Sequence, residues 1–214
     1  MQGSTSLLLY RSGKSIVQGY LAYQGCRHLL YPALHNSELY VSNCERTGWI
    51  FVAFNVVDEV AAIINGDGLD SHVHHILCVV VGAANFALMR TTQDYELRRT
   101  MTNVFMVLLA NECVTPAFNV YAFLKQIGQH NSLKALLVLI SIIPMLKFRV
   151  ANSMTLLLRL LGGGGSPAIV RSFVGLVFRW SISGLCIALV VLDMVWMRWA
   201  LGKIYRVSRT MRLI

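Results

Sequence analysis

Two imidazoles stand side by side at His74 and His75, inside the run His72-Val73-His74-His75-Ile76-Leu77-Cys78-Val79-Val80-Val81-Gly82. The run is apolar and long enough to enter a bilayer, where an unpartnered polar group costs several kcal/mol. A paired imidazole at that depth is therefore hydrogen-bonded, metal-bound or chemically employed. Neutral imidazole is both a base and a nucleophile near pH 7, and an adjacent carboxylate can fix its tautomer. Asp58 and Glu112, each set among apolar residues, are the candidates for that carboxylate. The chemistry this constellation suits is proton transfer or nucleophilic attack.

Further polar residues recur at helical spacing in the same apolar stretches. Asn55, Asp58, Ala62 and Asn65 lie at offsets of three, seven and ten, one face of a helix. His74, Cys78, Val81 and Asn85 follow at four, seven and eleven, a face that matches the first. Glu112, Thr115 and Asn119 repeat the pattern, with Asn111 beside them. Pro116 removes the backbone donor that would bond back to residue 112. Such a break inside a span is tolerated where it lines a buried polar site. Lys147 and Arg149 read as cations snorkelling from the end of a span, and Asp193 as a carboxylate near an interface. The candidate catalytic residues are thus His74, His75, Asp58 and Glu112; the candidate lipid-binding residues are Asn55, Cys78, Asn85, Thr115, Asn119 and Arg149. The competing account of every one is interhelical glue, since amides, hydroxyls and kinks commonly join membrane helices.

The elements that must hold these groups follow from composition. Of 214 residues 56% are apolar and 14% charged, with mean hydropathy +0.58. Soluble domains of this size carry about 25% charged residues, so the chain reads as an all-α polytopic membrane bundle. About five spans are recognisable, at 48–66, 72–90, 100–124, 133 to about 153, and 168 to about 201. No turn signal interrupts the last. Asn65-Gly66-Asp67-Gly68 and Gly162-Gly163-Gly164-Gly165-Ser166-Pro167 are loops. Residues 1–47 form a divergent segment, apolar at Leu7 to Tyr10 and Ile16 to Tyr23 but interrupted by Arg11, Lys14 and Gln18. An interfacial amphipathic helix or a worn first span fits it.

The net charge of +9 does not point to nucleic acid, because the basic residues cluster between apolar runs and in the tail 198–212. Basic flanks that meet anionic headgroups explain that pattern. The five cysteines lack metal-ligand spacing and read as free thiols. The six histidines, only three of them clustered (His72, His74 and His75, with His28, His35 and His130 apart), fall short of the about eight in spaced boxes that a di-iron membrane hydroxylase needs. One residue, not two, separates His72 from His74, so an elongase box does not fit either.

On these residues the chain resembles the TLC-domain proteins (the TRAM, LAG1 and CLN8 homology domain), and is similar in pattern to the small TLC-domain transmembrane proteins more than to the ceramide synthases. The resemblance covers about residues 48–210. It rests on Asp58 ahead of His74-His75-Ile76-Leu77-Cys78, on Glu112-Cys113-Val114-Thr115-Pro116-Ala117-Phe118-Asn119, on Arg149, and on Val190-Val191-Leu192-Asp193-Met194-Val195-Trp196-Met197. Val120, Tyr121 and Ala122 stand where the family usually places an Arg-Trp pair, and the second His-Asp and Ser-Asp cluster of the ceramide-synthase branch has no counterpart.

The resemblance implies a bundle of about six or seven helices around a cavity that takes a lipid acyl chain, in the endoplasmic reticulum or another endomembrane, the plasma membrane remaining an alternative. Family roles run from acyl-CoA-dependent N-acylation to membrane-lipid homeostasis. The expectation is a protein of lipid homeostasis that binds a lipid in a cavity lined by His74 and His75. The alternative is a lipid N-acyltransferase using a histidine nucleophile or base. No resident cofactor is expected, with acyl-CoA a co-substrate if the chain is an enzyme. Its partners are expected to be membrane lipids and not nucleic acid, a homo- or hetero-oligomer staying open.

Overall fold

A computed structural model describes residues 2–31, 37–126, 131–162 and 167–211, and every element among them is helical. Their order is α1 (Gln2–Leu30), α2 (Glu38–Asn65), α3 (Leu69–Thr91), α4 (Tyr95–Leu109), a 3-10 stretch (Ala110–Val114), α5 (Thr115–Gln126), α6 (Asn131–Pro144), a π-helical turn (Met145–Ala151), α7 (Asn152–Leu161), α8 (Pro167–Arg171) and α9 (Phe173–Met211). Five stretches are long and apolar enough to cross a membrane: Glu38–Asn65, Leu69–Thr91, Tyr95–Tyr121, Leu136–Leu161 and Phe173–Arg206. Large apolar side chains such as Val60, Ile63, Val80, Ile143 and Trp180 point outward along them, the surface a hydrocarbon solvent requires.

Local chemistry sets the ends. Ser37 Oγ accepts the Tyr40 N–H at 3.1 Å and starts α2, while Asp94 accepts from Leu97 at 3.2 Å and starts α4. Gly66 ends α2 with φ of 65°, a conformation that favours glycine. The spans are joined at their centre by interlocked rings, Phe86 edge-on to Phe105 at 4.6 Å and Phe51 to Phe105 at 5.7 Å. Phe178, Ile182 and Cys186 of α9 close the same core.

The structure differs from the sequence expectations in two places, the end of the fourth span and the start of the last. Of the two readings left open for residues 2–30, a worn span fits better than an interfacial helix: α1 packs into the bundle against α4, the 3-10 stretch and α5. Leu21 is fully buried, and Gly25 is seated so closely that a Cβ there would stand 2.3 Å from Ala110 N. The fourth span runs on to Leu161, through a π turn. The last span is interrupted after all, at Ser172, whose Oγ accepts the Gly175 N–H at 2.9 Å and caps α9 as a separate helix. The loop residues Gly163 to Ser166, the histidines His35 and His130, and Arg212 lie outside the described residues.

Candidate functional site

Two backbone irregularities aim opposite charges at one place. Pro116 cannot donate to residue 112, and the turn before it tightens to 3-10 geometry, which turns Glu112 inward. Beyond Pro144 the fourth span widens into a π turn, and Arg149 within it faces the interior, 4% exposed. Arg149 is therefore no snorkelling anchor. Its Nε lies 2.9 Å from Asp193 Oδ1, and Asp193 is wholly buried. The pairing is ionic without an aligned hydrogen bond, so both Asp193 oxygens lack a hydrogen-bond partner among the described residues. The guanidinium stacks 4.8 Å from the Trp196 ring centre. Trp196 in turn donates its indole N–H to Asp70 and meets the His74 ring edge-on at 5.5 Å.

Opposite this group, α1, α2 and α3 build a polar cluster. Asp58, 3% exposed, accepts from Tyr10 Oη and lies 2.7 Å from Lys14 Nζ. The third partner of Asp58 is His75 Nε2, at 2.9 Å. His75 Nδ1 stands 3.1 Å from Glu59 Oε2, and the other Glu59 oxygen is 2.9 Å from His72 Nδ1. With a carboxylate at each nitrogen, both ring nitrogens of His75 are engaged, and neither is free to attack a substrate. His74 is the reverse case: its Nδ1 is buried with no hydrogen-bond partner among the described residues, and its Nε2 has only the Cys78 thiol at 3.9 Å.

Between the two groups lies a cavity of about 700 Å³. Lys14, Gln18, Asn55, Asp58, His75, Thr115 and Asn119 line one side, Glu112, Arg149 and His74 the middle, and Val195, Trp196 and Trp199 the other. His74, Glu112 and Arg149 also line a second, narrow apolar cleft of about 40 Å³ between Phe51, Phe105, Phe178, Ile182 and Leu189, where Cys78 and Asn85 sit. A volume of 700 Å³ falls within the usual range for small-molecule sites, about 300–1,000 Å³.

All ten candidate residues thus border one of two adjoining spaces, but they are not equivalent. Asp58 serves His75 and not His74. Glu112 bonds Thr115 Oγ1 at 2.9 Å and reaches neither imidazole by a hydrogen bond in the described structure. Asn85 is held between Val81 O at 2.7 Å and Ser181 Oγ at 3.0 Å, a tie from α3 to α9. Asn119 donates to Gln18, tying α5 to α1. Asn55 donates to Phe51 O at 2.8 Å, within its own helix. Asn65 stands exposed at the helix end, apart from the rest of its stripe. The face of α3 that meets α2 belongs to His75, and His74 looks toward α9.

Sequence reasoning missed Tyr10, Lys14, Gln18 and Glu59. The signal for the first three was present: Lys14, Gln18, Leu21, Gly25 and His28 recur at four, seven, eleven and fourteen, one helical stripe, and Tyr10 precedes Lys14 by four. Glu59 is flagged only by His72 and His75, three residues apart and so on one face of α3. No group of three or more His, Cys, Asp or Glu side chains able to hold a metal occurs among the described residues.

No known protein family, curated protein or solved structure matches the chain.

Proposed function

We propose that the chain is a membrane protein of TLC type that binds a lipid for membrane-lipid homeostasis, its head in the polar cavity and an apolar portion directed to the adjoining cleft. The observation that carries the reading is the juxtaposition: a 700 Å³ space lined by charged side chains shares His74, Glu112 and Arg149 with a neighbouring cleft lined by aromatic and aliphatic side chains. Arg149 offers a fork for a phosphate or carboxylate, and Glu112 has no ion-pair partner among the described residues, so it can meet an ammonium. Sphingolipids and phospholipids both carry such heads, and the endoplasmic reticulum or another endomembrane is the compartment the family resemblance suggests.

Binding is preferred over catalysis because no acid orients the available imidazole. The enzymatic reading survives in one form, favoured by the unpartnered nitrogen of His74, which lines both spaces. His74 would attack the carbonyl carbon of an acyl-CoA thioester, the CoA sulfur would leave with the electron pair of the broken C–S bond and take up a proton, and a lipid amine would then displace the imidazole and lose its proton. His75, doubly hydrogen-bonded, would serve as a positioning group.

Native mass spectrometry of the purified full chain, with His74→Ala and Arg149→Gln beside it, tests the binding reading. A lipid retained by the wild type and reduced in both variants is expected; equal retention by all three refutes a headgroup site here. The catalytic form requires acyl-CoA-dependent loss of CoA and a hydroxylamine-sensitive acyl adduct that His74→Ala abolishes.

A further inference from the structure

The histidine and acid cluster that runs outward from the cavity wall has a use that lipid binding does not exhaust. His72, Glu59, His75 and Asp58 form one unbroken series of contacts of 2.9, 3.1 and 2.9 Å, each between a ring nitrogen and a carboxylate oxygen. Its two ends face different surroundings. His72 and Glu59 are 24% and 18% exposed, whereas His75 and Asp58 are 7% and 3% exposed, and only the latter two line the cavity. The outer end also lies close to the loop between α2 and α3. Glu59 is six residues before the end of α2, about 9 Å along the axis, and His72 is three residues into α3, about 5 Å.

We propose that His72–Glu59–His75–Asp58 is a proton path connecting the aqueous face at the α2–α3 loop with the cavity that the buried side chains of Asp58 and His75 line. The chemistry balances without any outside reagent but water. His75 passes its Nδ1 proton to Glu59 Oε2, leaving a neutral ring and a carboxylic acid. Glu59 hands that proton to His72 or to water; when Glu59, reprotonated from water, returns a proton to Nδ1, the recharged ring can release its Nε2 proton to Asp58 and is left neutral with its hydrogen at Nδ1, and the same steps in reverse carry a proton outward. An imidazole that gains a proton at one nitrogen and loses one at the other moves charge without moving itself. Alternation of ring and carboxylate is the arrangement that lets each group act in turn as donor and acceptor.

The groups that face this series fix where it stops. From α1, Lys14 and Tyr10 bond to Asp58. Glu112 in the 3-10 stretch, Arg149 in the π turn and Asp70 and His74 of α3 face the cavity from its other walls. The neighbour His74, with ring centre 5.7 Å from that of His75, accepts no contact from the series. The cavity charge therefore exchanges protons through Asp58 and His75 with the side of the membrane on which the α2–α3 loop lies, independently of which lipid is bound.

The test is proton exchange at His75 itself, read by NMR on the full chain with ¹⁵N-labelled histidine in phospholipid nanodiscs, His75→Gln serving to assign its signal. Exchange of the His75 ring hydrogens with water should slow by about a hundredfold in Glu59→Gln, the lower end of what one positioned acid–base group contributes. Glu59→Asp, which keeps a carboxyl, should recover most of that loss. His72→Gln, which leaves the Glu59 contact to His75 in place, should slow exchange by a smaller factor and serves alone if Glu59→Gln does not fold. Exchange unchanged within twofold in the folded variants overturns the path. So does slowing by Lys14→Met without slowing by Glu59→Gln, because the proton would then enter along α1.

Discussion

Gly25 and Gly13 lie on the same helix and should respond to alanine with opposite signs. At Gly25 a Cβ would stand 2.3 Å from Ala110 N, 2.6 Å from Ala110 Cα and 2.6 Å from the Leu109 carbonyl carbon. All three are backbone atoms, at the start of the 3-10 stretch that presents Glu112, so no side chain can swing aside. Relief requires α1 to move off the bundle by about 1 Å or more, since ordinary contact begins near 3.4 Å. Overpacking of this kind costs about 1–3 kcal/mol. At Gly13 nothing lies within 4 Å, and alanine there gains the helix preference of about 0.5–1 kcal/mol over glycine. With about 2–4 °C per kcal/mol for a chain of this size, Gly25→Ala lowers the unfolding midpoint by about 2–12 °C, and Gly13→Ala leaves it unchanged or raises it by about 1–4 °C. Tryptophan-fluorescence melts of detergent-solubilised protein measure both. Equal midpoints for Gly25→Ala and wild type would show that α1 does not dock through this glycine, and the assignment of Lys14 and Tyr10 to the site would fall with it.

Arg149→Met strips the wholly buried Asp193 of its cation and should destabilise the chain by about 3–5 kcal/mol, and Arg149→Met with Asp193→Leu should recover much of that; denaturant titration of both measures it. Asn85→Ala should cost only about 0.6 kcal/mol, the mean for interhelical hydrogen bonds in membranes, and leave lipid retention unchanged, because its side chain is already used between Val81 and Ser181; a large loss of bound lipid would restore it as a ligand residue.

The spans and most of the site were legible because polar residues in an apolar helix carry their periodicity openly. Asp58 four residues before Ala62, the adjacent histidines, and Glu112 ahead of Pro116 each announced an inward face. What the same reading could not supply was partnership. Adjacent positions on a helix point about 100° apart, so the sequence alone could not tell that His75 would turn to two acids while His74 turned to a tryptophan. The first helix stays ambiguous in the sequence for a physical reason as well. Arg11, Lys14 and Gln18 lower its hydropathy, which reads as an interface, yet Lys14 and Gln18 are spent inward on Asp58 and Asn119. Ser172 hid the break before α9, since a lone serine between apolar residues marks a cap only once its hydroxyl is seen to accept the Gly175 N–H.

The contacts that complete the site span long stretches of chain: Lys14 reaches Asp58 across 44 positions, and Gln18 reaches Asn119 across 101. A ribosome delivers α1 first, yet the surface it seats on, from α4 to α5, is made much later. Until then its glutamine lacks its counterpart Asn119, although the Asp58 partner of its lysine is already made, and the cavity lacks one wall. Closure of the cavity is consequently among the last events of the chain's assembly, after the individual helices have already formed.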